Sequence, residues 1–382
     1  MKILIVGSNR YPRGDAGSLR EETFANMLRA MGHAVRVVGL GKSTGFAWKQ
    51  DNGVTYLSLR SHRADLIGRA LDRLLYFSRL KKYVLSQDAY DALLITGGSN
   101  QTIVNLKKYA RKDHVRLIHD SVEWYSPEQF RAGTAARAYR DKNRLNTRII
   151  DDSFRVIAIS SYLKEHFTKK GIKTVRIPVI LDAENYPYRK RTDPDKVVFM
   201  YAGMPGKKDY LSVIVKGFLL LDEEEKKKCE LRLVGVTKKQ LTEDCGVTEQ
   251  EAEGLGDVLQ CLGRVSHQEV RDLFEEADFS VFLRNAELRY AKAGFPTKFA
   301  ESLALGTPVI CNISSDLGLY AKDGINTLIC SDCSAEAMKT CIRKALGMSV
   351  RERESMQVNA RKTFEQEFDY RKYFSEAETV LS

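Results

Sequence analysis

Arg284-Asn-Ala-Glu-Leu-Arg-Tyr-Ala-Lys-Ala-Gly-Phe-Pro-Thr-Lys-Phe-Ala-Glu-Ser-Leu-Ala-Leu-Gly-Thr-Pro-Val-Ile-Cys311 is the stretch on which the fold turns. The apolar run Phe279–Leu283 before it reads as a buried strand, and a polar loop follows. Pro296-Thr297-Lys298 then opens an apolar-periodic helix that ends at Gly306, with Pro at the start and Gly past the end. Thr307–Ile310 begins the next strand. A helix start offers unpaired N–H groups and the positive end of a dipole, which together favour an anion. Thr297 adds a hydroxyl and Lys298 a charge. Glu301 lies four residues beyond Thr297 on the same face. A diphosphate at the helix start puts a ribose near that carboxylate, although an amphipathic helix with a solvated Glu has the same pattern.

Gly294-Phe295-Pro296-Thr297-Lys298-Phe299-Ala300-Glu301 through Val309 resembles the donor-site signature of GT-B glycosyltransferases, in particular the retaining family 4. The resemblance implies that Glu301, matching the last Glu of an E-x7-E motif, binds the donor ribose. The first Glu of that motif falls on Ala293, a departure at the position facing the transferred sugar. A Pro-Thr/Ser-Lys form of the motif is familiar among polysaccharide-assembly members of the family.

The 382 residues suffice for two domains, and 43% apolar content allows full cores. The start Met1-Lys2-Ile-Leu-Ile-Val6 is too short for a signal peptide, and no run reaches membrane-span length. A cytoplasmic protein, peripheral on the inner membrane face, is the expectation. All seven Cys lie in the second half and are expected to be reduced thiols. Cys330-Ser-Asp-Cys333 is a lone CxxC without a second pair or a nearby His, which points away from a metal. Met1–Pro187 carries 32 Lys+Arg against 18 Asp+Glu, a net +14 within a chain total of +11. An anionic partner for the first half follows: nucleic acid, an anionic membrane or a phosphorylated acceptor. No nucleic-acid module is recognisable, so nucleic acid is not expected.

Taken in order, Lys2–Val6 is a strand and residues 8–17 a loop with Gly14 and Gly17. Ser18 starts a helix, with Glu21 three residues on as a capping box. Ala34–Leu40 is the next strand. This is a Rossmann-like opening without G-x-G-x-x-G spacing. It resembles the family-4 opening, whose small-Gly pair matches Ala16-Gly17 and implies backbone contact with donor phosphate, and with acceptor near Gly14. Arg60–Tyr83 reads as one helix. Leu66, Ile67, Ala70, Leu71, Leu74 and Leu75 share a face, with Arg69, Arg73 and Arg79 opposite: a surface helix or a membrane-surface element. Val115–Ile118 is a strand ending in His119-Asp120. The family often carries a His there, which implies that His119 meets the donor sugar, with Asp120 and Glu123 on the acceptor side. Arg131–Arg148 reads as helix.

The domain boundary is expected near Tyr186–Asp195. Val197–Ala202 restarts the alternation. Family members have Gly-Arg and a later Lys on the diphosphate after this strand. Here Met204 replaces the Arg, while Lys207 or Lys208 supplies the Lys and Lys298 substitutes in part. Gly263 and Arg264 match the segment that meets the nucleobase. The resemblance implies an α/β GT-B fold of two Rossmann-like domains facing across a cleft. Residues 1–187 would bind the acceptor and 188–364 a nucleotide-diphosphate sugar, with a C-terminal helix near 365–382 packing back on the first domain. It further implies transfer to a hydroxyl of a glycan or lipid-linked acceptor, with retention and no divalent metal. A GT-B-fold epimerase and a catalytically idle partner subunit are the alternatives.

Overall fold

The computed structural model describes residues 1–61, 65–189, 192–204 and 208–382. Lys207 and the side chains of Leu66 and Arg69, all named above, lie outside what is described. The chain divides into two units, Met1–Leu181 with Tyr370–Ser382, and Asp182–Asp369.

Unit 1 holds an eight-stranded sheet: β1 (Lys2–Val6), β2 (Ala34–Gly39), β3 (Lys49–Asp51), β4 (Val54–Ser58), β5 (Ala92–Ile95), β6 (Arg116–Ser121), β7 (Phe154–Ala158) and β8 (Thr174–Arg176). Their order is β3-β4-β2-β1-β5-β6-β7-β8, and only the β3–β4 pair is antiparallel. Strands covered on both faces read as continuous apolar runs, which is why Ile-Leu-Ile-Val is buried throughout β1. The C-terminal helix Phe374–Leu381 belongs to this unit. Ala377, Val380 and Leu381 join Ile3, Phe24 and Ile118 in its core, and Arg155 Nη1 donates to the Val380 carbonyl at 2.9 Å. Burying each large apolar side chain is worth about 1.5–3 kcal/mol, so this return is a strong tie.

Unit 2 holds β9 (Val197–Ala202), β10 (Cys229–Val234), β11 (Leu259–Gly263), β12 (Phe279–Val281), β13 (Val309–Cys311) and β14 (Thr327–Ile329), all parallel, in the order β11-β10-β9-β12-β13-β14. Phe199 stacks on Phe279 at 5.8 Å and meets the edge of Phe218 at 5.2 Å in its core. Both sheets run 3-2-1-4-5-6 across their central strands, the Rossmann order.

Several expectations are corrected. The units divide at Leu181–Asp182, ahead of Pro187. Ala183 N–H bonds Asp369 at 3.2 Å and Arg361 holds the Tyr186 carbonyl, so this turn is tied into unit 2. The helix of Ala16–Ala30 is capped by Asp15, not Ser18. Ser18 N–H bonds Asp15 Oδ1 at 2.8 Å, and Glu21 turns inward instead of capping. Arg60–Tyr83 is not one helix: Leu66–Leu74 ends at Leu75, and Tyr76–Leu80 continues into a wide turn at Lys81–Leu85. Its expected apolar face is not the covered one. Ile67, Leu71, Leu74 and Leu75 are exposed, whereas Asp72 is buried and accepts from Arg79 at 2.6 Å. Within residues 131–148 the α-helix covers Arg137–Arg144 and runs on as a wide turn over Leu145–Ile149, with a separate short turn at Gly133–Ala135 before it. The loop before Pro296 contains a short helix, Arg289–Ala293, which buries Tyr290, Ala291 and Ala293. The CxxC is not a pair: Cys330 Sγ lies 3.4 Å from Cys341 Sγ, and Cys333 Sγ reaches the Arg284 carbonyl at 3.1 Å.

Candidate functional site

Open α/β sheets bind ligands beyond the carboxyl ends of their strands, where the strand order reverses. In unit 2 that point lies between β9 and β12. Gly203 leaves β9 with φ +131, and Arg284 follows β12. Asn312, just past β13, accepts from Arg284 N–H at 2.9 Å and donates to its carbonyl at 2.8 Å, which fixes the Arg284 backbone.

Between these loops sits a buried carboxylate, Asp209. Its Oδ1 accepts from Arg284 Nε at 2.7 Å, and its Oδ2 from Lys298 Nζ at 2.7 Å and the Tyr201 hydroxyl at 2.9 Å. Burial alone raises the pKa of this carboxyl. Lys298 and Arg284 outweigh burial and hold it at about 2. Two cations thus share one carboxylate, leaving a net charge of +1. Lys298 also stands 4.8 Å from the Tyr201 ring centroid, and a Cβ on Gly203 would lie 3.1 Å from its Nζ. The absence of a side chain at residue 203 is what lets the ammonium sit under the β9 loop.

Glu301 lies one turn into the helix Thr297–Ala304. It is half-buried, and its carboxylate makes no hydrogen bond or ion pair among the described residues. Burial pushes its carboxyl above the ordinary range, and Lys298 opposes the shift. Thr297 is half-buried at the first helical position, and Pro296 is the N-cap with φ −70 and ψ 105. An unpartnered acceptor one turn behind a cationic helix start can take two ribose hydroxyls.

Other expected residues fall differently. Gly294 N–H already bonds the Tyr290 carbonyl at 3.0 Å, so this amide is not free for a sugar hydroxyl. The Phe295 ring is buried against Tyr320 at 5.8 Å and Phe368 at 5.7 Å. Ala293 is fully buried and Met204 is exposed. Lys208 is half-buried, and its carbonyl accepts from the Tyr290 hydroxyl at 3.0 Å. Gly263 has φ +61 and donates to the Val236 carbonyl at 3.0 Å, while Arg264 is exposed. Asp209 and Arg284 were missed in the sequence. The vacancy left by Met204 was the signal: a second cation had to come from elsewhere.

In unit 1 the corresponding reversal lies between β1 and β5. Glu21 is buried there. Its Oε1 accepts from Asn9 Nδ2 at 2.5 Å and from the Thr96 hydroxyl at 2.6 Å, while Oε2 has no partner. Burial lifts its pKa to about 8, which leaves it protonated at neutral pH. Asn9 packs under the glycine loop, where a Cβ on Gly17 would come within 2.5 Å of it. Gly14 N–H bonds Ser18 Oγ at 2.9 Å. His119 is buried at the carboxyl half of β6 beside the Ile95 backbone, and among the described residues its ring nitrogens have no other hydrogen-bond partner. Burial lowers its pKa to about 3, Lys142 adds to this and the Ile95 backbone opposes it. The ring is therefore neutral near pH 7. Asp120 binds Arg20 through both oxygens at 2.8 Å, and Arg20 also donates to the Pro178 carbonyl at 2.6 Å. Glu123 accepts from the Tyr125 hydroxyl at 2.5 Å.

Residues 22–181 match the family described as Glycosyl transferase 4-like domain, and residues 182–363 match Glycosyl transferases group 1. The chain belongs to the GT-B glycosyltransferases of this group 1, family-4 type. Among solved structures, it is similar to sucrose-phosphate synthase (tll1590) from Thermosynechococcus elongatus, with a TM-score of 0.76 and 14% identity over 100% of this chain and 98% of that one. Anabaena Alr3699/HepE in complex with UDP-glucose gives a TM-score of 0.68 and 16% identity over 99% of each chain. WaaG, a glycosyltransferase involved in lipopolysaccharide biosynthesis, gives 0.69 and 14% over 100% of this chain and 99% of that one. No protein of curated function matches the chain at a significant level. Among the described residues no helix is long and apolar enough to cross a membrane.

Proposed function

We propose that the chain transfers a sugar from a nucleotide-diphosphate donor to a hydroxyl of a glycan or lipid-linked acceptor, with retention, in assembly of a surface polysaccharide or glycolipid. The observation that carries this reading is the cluster at the β9–β12 reversal: Lys298 and Arg284 joined by Asp209, with the unpartnered Glu301 one turn behind. The nucleotide ribose is assigned to Glu301 and the diphosphate to Thr297, Lys298 and Arg284. UDP and UDP-glucose in the Anabaena neighbour support a uridine donor as the first to try. In the reaction the bond from the anomeric carbon to the diphosphate oxygen breaks, its electron pair staying on the diphosphate. The acceptor oxygen bonds the same carbon, and its proton passes to the departing diphosphate. Preorganised positive groups stabilise that departing charge, a term usually worth several kcal/mol of barrier. Because Lys298, Arg284 and the helix start supply this charge, the proposed reaction uses no divalent metal. His119, neutral and buried at the end of β6, is assigned to a substrate hydroxyl, and unit 1 to the acceptor. The proposed location is the cytoplasmic face of the inner membrane.

The test is a panel of nucleotide sugars offered to the purified protein with and without chelator, read as nucleoside diphosphate release. Slow, chelator-resistant hydrolysis of one donor is expected. The buried Ala293 and exposed Met204 favour a second reading, an idle partner subunit. Tight donor binding without turnover, in the presence of an acceptor, selects that reading.

A further inference from the structure

Four of the seven cysteines gather at one edge of unit 2, where Cys311, Cys333 and Cys341 all act electrostatically on Cys330. Cys311 ends β13, and Cys330 directly follows β14. The Cys330 N–H donates to the Cys311 carbonyl at 2.9 Å, which extends the pairing of these strands. Cys341 lies on the helix Ala335–Leu346, whose start Ser334 caps by accepting from the Ala337 N–H at 3.1 Å. Strand and helix converge so that Cys330 Sγ touches Cys341 Sγ at 3.4 Å. Among the described residues no three His, Cys, Asp or Glu side chains are placed to hold a metal ion. The geometry is that of a thiol pair.

Most buried cysteines are inert because burial suppresses the thiolate. Cys311 is one of these: burial pushes its thiol far above the ordinary range. Cys341 differs. The Cys330 S–H donates to it, and Lys344 lies three residues on, so its pKa is lowered although burial opposes the shift. The same hydrogen bond, with burial, raises Cys330. The pair thus divides into a more acidic thiol and a less acidic one, as thiol oxidation requires of an attacking sulfur and its resolving partner. Both sulfurs are buried under a thin cover: Ser331 and Asp332, the residues after Cys330, are exposed.

We propose that Cys330 and Cys341 form a site of reversible two-electron oxidation by a hydroperoxide. The Cys341 thiolate attacks one peroxide oxygen. An S–O bond forms, the O–O bond breaks, and the departing hydroxide takes up a proton and leaves as water. The Cys330 sulfur then attacks the sulfenic acid on Cys341. The S–S bond forms, the S–O bond breaks, and the hydroxyl leaves with the Cys330 proton as a second water. Two thiols are oxidised by two electrons, and hydrogen peroxide is reduced to two waters.

Closing the bond draws the two sulfurs together. Cys330 is anchored on Cys311, and the helix is anchored by Met338, whose Cγ would lie 2.5 Å from a Cβ on Gly217. The segment that has to yield is therefore residues 331–334 between them. It carries Cys333, whose Sγ donates to the Arg284 carbonyl at 3.1 Å. Arg284 in turn binds Asp209 at 2.7 Å. Oxidation thus reaches the donor cluster, an effect that rests on the transferase reading; the oxidation site stands apart from it.

Titration of the reduced full chain with hydrogen peroxide tests it, with the thiols alkylated and the peptides mapped by mass spectrometry. The first product should be a single Cys330–Cys341 cross-link. Free thiols should fall from the seven of the chain by the two in the cross-link, and dithiothreitol should restore them. Cys330→Ala should stop at a sulfenic acid on Cys341, trapped with dimedone, and Cys341→Ala should leave Cys330 unmodified at the same dose. A cross-link or oxyacid formed first at another cysteine overturns the site, as does retention of all thiols. The wild-type map decides this without either variant. Calorimetry with UDP then compares the reduced and oxidised wild type. Affinity should fall roughly tenfold on oxidation, the ordinary size of a coupling between two sites, and UDP should favour the dithiol by the same factor in glutathione redox buffers. Equal affinity overturns the link to Arg284. Failure of the reduced protein to bind UDP counts against the donor reading, whereas the cross-link map judges the thiol pair by itself.

Discussion

Lys298→Met is the perturbation that tests the donor cluster most directly. Methionine keeps the length and apolar stem of lysine and removes only the ammonium. In the wild type, Lys298 and Arg284 against Asp209 leave a charge of +1; in the variant Arg284 and Asp209 balance to zero. A unit charge pair about 4 Å apart is worth roughly 4 kcal/mol at an effective dielectric of 20. Desolvation reduces this to the roughly 1.5–3 kcal/mol of a hydrogen bond to a charged group. Affinity for a nucleoside diphosphate should therefore fall about 10- to 150-fold. Stability should fall less, by about 1–2 kcal/mol, because Asp209 keeps Arg284 and the Tyr201 hydroxyl. Titration calorimetry with UDP reads the affinity and denaturant unfolding reads the stability. Lys298→Arg should recover part of the binding. UDP affinity within twofold of wild type in Lys298→Met would refute the placement of the diphosphate. A large stability loss with unchanged affinity would show that Lys298 serves the fold only.

Glu301→Ala should weaken the nucleotide sugar by about 1.5–3 kcal/mol, the cost of losing a charged hydrogen-bond acceptor, by calorimetry. Because the carboxyl of Glu301 is raised, wild-type affinity should begin to fall at a higher pH than for an ordinary Glu, and Glu301→Ala should not show this fall. His119 is depressed to about 3 in the folded state, so the unfolded chain binds its proton first. Stability from this group is complete above the unfolded value and is lost as pH falls towards 3. Between about pH 8 and pH 5 the loss is about 2 kcal/mol, and His119→Gln should remove it in a pH series of denaturation curves. Gly17→Ala forces a Cβ within 2.5 Å of Asn9 and should destabilise unit 1. About 1–3 kcal/mol is the usual cost of overpacking, and an unchanged melting curve would show that the loop yields freely.

The sequence by itself determined the alternation of strands and helices, because doubly covered parallel strands must be apolar throughout and their helices amphipathic. It also placed Pro296, Thr297, Lys298 and Glu301 on one helix start, since those residues are neighbours in the chain and helix geometry orders them without help. Motif resemblance located Glu301 in the same way. What spacing cannot hold is contact between distant segments. Asp209 and Arg284 stand 75 residues apart and meet only because β9 and β12 are adjacent in the sheet. The return of residues 370–382 to unit 1 likewise depends on the fit of Val380 and Leu381 to a core assembled elsewhere. The helix after Arg60 failed as a reading for the same reason. Periodicity predicts a face but not which face finds a partner: Asp72 found Arg79, and the leucines were left in solvent. Tertiary structure decided these points because burial and charge pairing are properties of surfaces that exist only after the strands have been set side by side.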